Sequence, residues 1–285
     1  MESLKKTVYL NEKKDLVVRR DGPSLLIEEE NKAGRRIPPG LIGQVIIRGN
    51  VRIESGVIML LAEHGVPVMF LSRKKGITAV TLTFDSGNEV LRSKVINLAN
   101  SCSGQERVKI LLNSIRQNLK RKLIKDLFPD KAWIIDEKGL KEKECQKYIE
   151  SAYSYVEKGG TEIIGLTIAG LLKEFILKMV IDTGLDPHVG FIHRYCDFAL
   201  VKDICHAIEA EKERQMIQFL KYPSYKRYME KKADGWVINN EGMKNISERF
   251  ENRKKNIHEF MNHLLNSFFE IMRESVNEGQ LSYML

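Results

Sequence analysis

Through about residue 82 the apolar residues come in short, β-branched runs: "TVYL", "DLVVRR", "SLLIEE", "QVIIRG", "VPVMFLS" and "TAVTLTF", separated by "DGP", "PPG", "HG" and "KKG". Runs of this length bounded by turn-forming residues predict strands. One segment, "ESGVIMLLAEHG", instead has apolar positions at helical spacing and a glycine, Gly65, placed to stop a helix. Beyond "FDSGN" the period turns helical and stays so, through "EVLRSKVINLAN", "ERVKILLNSIRQNLKRKLIKDL", "KEKECQKYIESAYSYVEK", "EIIGLTIAGLLKEFILKMVIDT", "FALVKDICHAIEAEKERQMIQFL" and "NISERFENRKKNIHEFMNHLLNSFFEIMRE". The pattern predicts an α+β chain: a small β-rich domain over residues 1–84, a linker at Thr83–Asn88, and a larger all-α domain over residues 89–285.

Composition narrows the picture. A chain of 285 residues that is 43% hydrophobic has enough apolar surface for two modest cores. No apolar run reaches the roughly 18 residues of a membrane span. The N-terminal "MESLKKTVYL" carries charges where a secretory signal needs an apolar stretch. A cytoplasmic protein that does not engage membranes is the expectation. A net charge of +8 favours a polyanionic partner such as nucleic acid. Basic residues are densest in "RQNLKRKLIK" and "KYPSYKRYMEKK"; the second interleaves Tyr222, Tyr225 and Tyr228 with Lys221, Lys226 and Arg227. Such a stretch either grips phosphates and stacks bases or is a solvated face with half-buried tyrosines.

Four cysteines, Cys102, Cys145, Cys196 and Cys205, form no CxxC pair, as expected of reduced thiols. A zinc site drawing on His193, Cys196, Cys205 and His206 has the right residue types but the wrong geometry, because adjacent Cys205 and His206 leave a helix in different directions. "TGLDPHVGFIHR", Thr183 to Arg194, packs a Gly, an Asp-Pro, a second Gly and two histidines into one corner. This is either an ordinary joint between helices or a device that aims a histidine.

Three stretches in this order, "IPPGLIGQVIIRGNVRIESGVIMLLAEHGVPVMFLSRKKG", "GLDPHVGFIH" followed by "FALVKDI", and "DGWVINNEGMKNISERFENR", resemble the CRISPR-associated spacer-acquisition integrases, the Cas-one family. The resemblance spans nearly the whole chain. It implies a β-rich domain that forms a homodimer, an α-helical catalytic domain, and double-stranded DNA, both spacer precursor and CRISPR repeat, as substrate. In that family a Glu, a His and an Asp of the helical domain bind Mg2+ or Mn2+. His193 matches the histidine and Asp203 the aspartate, with Asp197 as an alternative or accessory carboxylate because the intervening loop is shorter here. Glu150 in "KYIESAYSYVEKGG" matches the glutamate, whereas a competing alignment lays "IIGLTIAG" on that helix and puts Thr167 at its position.

Such a site would promote attack of a DNA 3′-hydroxyl on a phosphodiester, the cation stabilising charge on the phosphoryl and leaving oxygens. It would also support endonuclease activity. Arg194, Lys202, Lys221, Lys226 and Arg227 are the candidate DNA contacts, and His188 is expected to face solvent or DNA. The resemblance further implies a small ferredoxin-like partner, the Cas-two family, joined to a pair of dimers. The alternative is a DNA-binding member of the family that lacks a complete metal site.

Overall fold

The computed structural model describes residues 5–72, 76–81, 89–133, 141–221, 225–233 and 235–282. The predicted linker Thr83–Asn88 lies outside them. The chain divides into two compact units, Met1–Gly87 and Asn88–Leu285.

The N-terminal unit holds ten elements in chain order: β1 (Lys6–Asn11), β2 (Val17–Asp21), β3 (Ser24–Glu28), β4 (Arg35–Ile37), a short 3-10 turn, β5 (Ile42–Arg48), β6 (Arg52–Ile53), α1 (Ser55–Glu63), β7 (Val68–Ser72) and β8 (Gly76–Thr81). They form two four-stranded sheets, ordered β1-β5-β7-β8 and β4-β3-β2-β6. In the first, β5 lies between β1 and β7 and runs parallel to both, with β8 antiparallel at the edge. A strand inside such a sheet has both faces covered, which explains why β5 is a continuous buried run instead of an alternating one. Both sheets and α1 share one core, with Val18, Leu25, Val45, Val57, Leu61 and Val68 fully enclosed. Gly65 ends α1 as anticipated: at φ +64 it lets its own N–H reach the Ala62 carbonyl and that of Val66 reach Leu61.

The second unit is mostly helical: α2 (Glu89–Asn100), α3 (Cys102–Leu127), α4 (Glu142–Ser151), α5 (Lys158–Asp182), α6 (Ala199–Ala207), α7 (Glu209–Phe219), the single turn α8 (Tyr225–Tyr228), and α9 (Asn240–Ser282). The apolar residues of α5 surround the helix instead of lying along one stripe, and α5 is accordingly the central helix, packed against α6, α7 and α9. Along α9, Ile246, Phe250, Ile257, Met261, Leu264, Phe268 and Met272 form a buried seam at steps of three, four and seven.

The helical region departs from the expected pattern in three places. The run predicted as one helix from "KEKECQ" to "SYVEK" stops at Ser151 and resumes as α5 at Lys158. The run from "FALVKD" is broken at Ile208, whose φ of −102 and ψ of +22 separate α6 from α7. The unit is also not purely α-helical, because "MEKKADGWVI" forms an antiparallel hairpin, β9 (Met229–Lys232) with β10 (Gly235–Ile238). Trp236 of the hairpin lies across the start of α5, where a Cβ on Gly159 would stand 3.1 Å from its ring. Its Nε1–H also donates to Glu157 at 3.2 Å.

Candidate functional site

The corner after α5 explains its own composition. Gly184 at φ +73 closes the helix, its N–H reaching Ile181 while that of Leu185 reaches Val180. The Asp186 carboxylate then accepts from the His188 N–H at 2.8 Å and pairs with Arg92, fixing the turn through Pro187. At Gly190 a Cβ would sit 2.5 Å from that of Ala199 and 2.7 Å from the His193 carbonyl, so only glycine permits this approach. Phe191, fully buried, anchors the loop edge-on against Phe268 of α9, with ring centroids 5.5 Å apart.

The corner is built around Asp203. This α6 carboxylate is 0% exposed, and each of its oxygens accepts from two N–H groups of the corner. One oxygen accepts from the backbone of Phe191 and Ile192 at 2.5 and 3.0 Å. The other accepts from the His193 backbone and ring Nδ1, both at 2.8 Å. A carboxylate can only accept, so Nδ1 carries the ring proton and Nε2 keeps its lone pair when the ring is neutral. That ring is 41% exposed. Asp203 thus fixes the loop, the orientation and the tautomer of His193 together.

One turn along α6 from Asp203 stands His206, its ring edge-on to His193 with centroids 5.7 Å apart. Burial, and then the charge of Arg116, holds its basicity below that of an ordinary histidine. Behind it Arg116 and Lys120 of α3 converge on Glu209 at 2.8 and 2.9 Å, and Arg116 also pairs with Glu142. Burial pushes the Glu209 carboxyl up, but hydrogen bonds from Lys120 and Arg116 outweigh it and bring it down to about 2. Pairing of His206 with His193 follows from its position three residues after Asp203, a helical spacing visible in the sequence. Desolvation pushes the Cys205 thiol up to about 12, far from the thiolate a metal needs.

Glu150 sits elsewhere. α4 packs Cys145 and Ile149 against α3 and α7, which turns the next residue outward. Glu150 is exposed, and its carboxylate accepts from Gln146 at 2.9 Å on its own helix. Thr167 of α5 bonds the Ile163 carbonyl one turn back. Among the described residues no three His, Cys, Asp or Glu side chains converge as a metal site. With both Asp203 oxygens taken up by N–H donors, the set Glu150, His193 and Asp203 as placed does not fit a divalent cation.

In the same corner, though not lined by His193 itself, opens a cavity of about 610 Å³ bounded by Asn100 of α2, His188, Arg194, Tyr195 and Asp197 of the corner, and Lys202 of α6. His188 is exposed and stacks on Phe198, its Nδ1 accepting the Phe198 N–H at 3.2 Å. Two of the five candidate DNA contacts, Arg194 and Lys202, therefore meet at one place. Lys221 is exposed at the end of the α7 segment, while Lys226 and Arg227 lie on α8 and do not line this cavity. Arg227 is paired with Glu241 at 2.8 Å. Tyr225 is buried against Tyr155, so it offers no face to a base. Tyr222 lies outside the described residues.

A family model described as CRISPR associated protein Cas1 matches residues 8–152, a stretch ending before the His193 corner. The chain is 30% identical over 118 residues to CRISPR-associated endonuclease Cas1 1 of Thermodesulfovibrio yellowstonii, across 41% of this chain and 35% of that protein. The matched stretch thus spans about a third of the curated relative. Among solved structures, TM1797, a Cas1 protein from Thermotoga maritima, has a TM-score of 0.69 at 15% identity, covering 91% of this chain and 97% of that one. A casposase bound to integration product gives 0.68 at 16% identity, covering 87% and 82%. A Cas6-RT-Cas1–Cas2 complex gives 0.71 at 12% identity, covering 98% of this chain and 36% of that one. At these identities the likeness to solved structures is one of fold.

Proposed function

Because the chain belongs to the Cas1 family, whose members act in CRISPR spacer integration and as endonucleases, we propose that it joins short DNA fragments to a CRISPR repeat through the site centred on His193. The observation that carries this reading is the imidazole itself. It is fixed through Nδ1 by a buried aspartate, keeps a lone pair on Nε2 when the ring is neutral, and belongs to the corner whose Arg194 and Lys202 line a cavity. A DNA 3′-hydroxyl held there gives up its proton to Nε2 as its oxygen bonds to phosphorus. The opposite P–O bond breaks, and the released 3′-oxygen takes up a proton. Arg194 and Lys202 offset charge on the phosphate. The same site would cut DNA if water replaced the hydroxyl.

The family is usually metal-dependent, and a requirement for Mg2+ or Mn2+ is part of this proposal. It is attached to no ligand set, since the three expected residues do not assemble as placed. That same observation favours a second reading, a DNA-binding member without catalysis. The proposal also includes double-stranded DNA as substrate, a homodimer formed through the N-terminal unit, a pair of dimers, and the small Cas2-family partner.

Strand transfer separates the two readings. A short duplex with free 3′-hydroxyls is incubated with supercoiled, repeat-bearing plasmid and Mg2+ or Mn2+, with and without the small partner. Joining by the native chain that is lost in His193→Ala supports the integrase. Joining unchanged in His193→Ala removes His193 from the mechanism, and joining lost in Glu150→Ala would restore Glu150 as a ligand recruited on binding DNA. Tight duplex binding with no joining under any condition supports the second reading.

A further inference from the structure

The basic stretch "RQNLKRKLIK", which the corner does not use, lies on the second half of α3. From Arg107 to Lys125 this helix has no acidic residue. Other exposed helix faces of the unit lace their cations with acids one turn away: Lys158 with Glu162 and Lys178 with Asp182 on α5, Lys244 with Glu248 and Lys255 with Glu259 on α9. On α3 the inward cations are neutralised from other helices, Arg116 and Lys120 by Glu209, and Arg107 reaches Glu274. Arg121 and Lys122 form no ion pair among the described residues. Positive charge left unmatched on a helix face calls for an anion from outside the chain.

Ser114, Gln117, Asn118, Arg121, Lys122 and Lys125 are all exposed or half-buried. At roughly 100° per residue they fall within about 140° of one another around the axis, as one stripe about 16 Å long. That length follows on the order of five phosphates of one strand. Hydroxyl, carboxamide, guanidinium and ammonium groups are the donors that meet phosphate oxygens. The stripe holds no aromatic ring on which an unpaired base could stack, and none of the large apolar anchors that centre a protein interface. A duplex backbone is the polyanion it fits. The face is also apart from the corner: Gln105 of the same helix donates to the Phe191 carbonyl at 3.3 Å. Arg121 lies about 160° around the axis from Gln105.

We propose that this open face of α3 binds the backbone of a DNA duplex, as a second surface separate from Arg194 and Lys202. The inference rests on the reading that the chain handles DNA. It adds a place for another duplex, which a reaction that joins one DNA to another requires.

The test is the salt dependence of equilibrium binding between the full chain and a blunt duplex of about 20 base pairs. Arg121→Gln combined with Lys122→Gln should reduce the slope of log K against log salt by about 1.8, at about 0.9 per phosphate contact. The same reduction should persist when the pair is added to Arg194→Ala and Lys202→Ala. Gln117→Glu keeps the shape of an exposed side chain while placing an acid in the stripe, and should weaken binding several-fold with the thermal midpoint unchanged. Lys244→Gln with Lys255→Gln, whose cations already face acids on α9, should leave the slope as it is in the native chain. A slope unmoved by the α3 pair, an equal reduction from the α9 pair, or a native chain that binds polyglutamate as tightly as the duplex overturns the inference. Joining by a native chain whose slope the α3 pair does not move removes the surface and keeps the integrase reading. A reduced slope with no joining under any condition keeps the surface and removes that reading.

Discussion

Two carboxylates of the helical unit are equally inaccessible and oppositely treated. Asp203 of α6 and Glu174 of α5 are both 0% exposed. Asp203 receives the backbone N–H groups of Phe191, Ile192 and His193 and the His193 ring. Among the described residues neither oxygen of Glu174 has a hydrogen-bond partner. Equal burial therefore does not mean equal surroundings; what differs is the donors that meet each acid. Around Asp203 the chain supplies donors and gains a fixed corner. Around Glu174 the described residues supply none, and burial pushes the carboxyl up to about 8, so the group is neutral in the middle of the range where proteins work.

The largest effect is expected from removing the better-served acid. Asp203→Ala leaves three backbone N–H groups without acceptors in a buried corner, each costing about 1–3 kcal/mol. Destabilisation of several kcal/mol in urea unfolding should follow. Asp203→Asn, which keeps the volume, should cost less yet still free the His193 ring, an effect visible as a tautomer shift in its ring 15N resonances. An unfolding midpoint unchanged in both variants would mean that the corner is held by packing of Phe191 alone.

Glu174 should act in the opposite direction. Its folded-state pKa lies above the unfolded value, so between about pH 4.5 and 8 the folded chain keeps a proton that the unfolded chain has lost. Stability contributed by this group must then fall as pH rises, by about 1.4 kcal/mol per pH unit across that window. Glu174→Gln should remove the slope. Glu174→Met, which needs neither proton nor donor, should make the chain more stable than native at pH 8, by about 1–4 kcal/mol. A native chain with no such slope would place a hydrogen-bond donor or a cation beside Glu174.

Glu209 gives a smaller and reversed pH effect. With its folded-state carboxyl lowered to about 2, its contribution is present above the unfolded value near 4.5 and is lost as pH falls toward 2. Lys120→Met should flatten the acid limb of the stability profile by about 1–2 kcal/mol. An identical acid limb in native and variant would assign acid sensitivity to other carboxylates.

Much of this architecture was legible in the sequence because it rests on period. The apolar run "VII" in β5, Gly65 after α1, and the long seam of α9 are local signals that tertiary structure reinforces. The "GLDPHVGFIH" corner was legible as a corner and, through its resemblance, as the bearer of a histidine. What Asp203 does was not, since nothing in the order of residues says that three successive N–H groups turn toward it. The hairpin Met229–Ile238 was hidden by its charge: β9 reads "MEKK", with one residue buried, and Trp236 of its partner strand packs against Gly159, distant in sequence. The break at Ile208 falls within an unbroken helical period and has no breaker residue to announce it.

The smallest effect separates two groups of basic residues that looked alike in the sequence. Arg227 is exposed and bonded to Glu241, whereas Arg194 and Lys202 line the cavity in the corner after α5. Each phosphate contact removed should reduce the slope of log K against log salt by about 0.9 for duplex DNA. Arg194→Ala and Lys202→Ala should each show that reduction. Arg227→Ala should leave the slope unchanged, and its thermal midpoint too, because an exposed ion pair with both partners in water contributes little to folding. A reduced slope in Arg227→Ala would extend the DNA path to α8 and show that Glu241 releases Arg227 to a phosphate. An unchanged slope in all three variants would remove Arg194, Lys202 and the cavity they line from the DNA path.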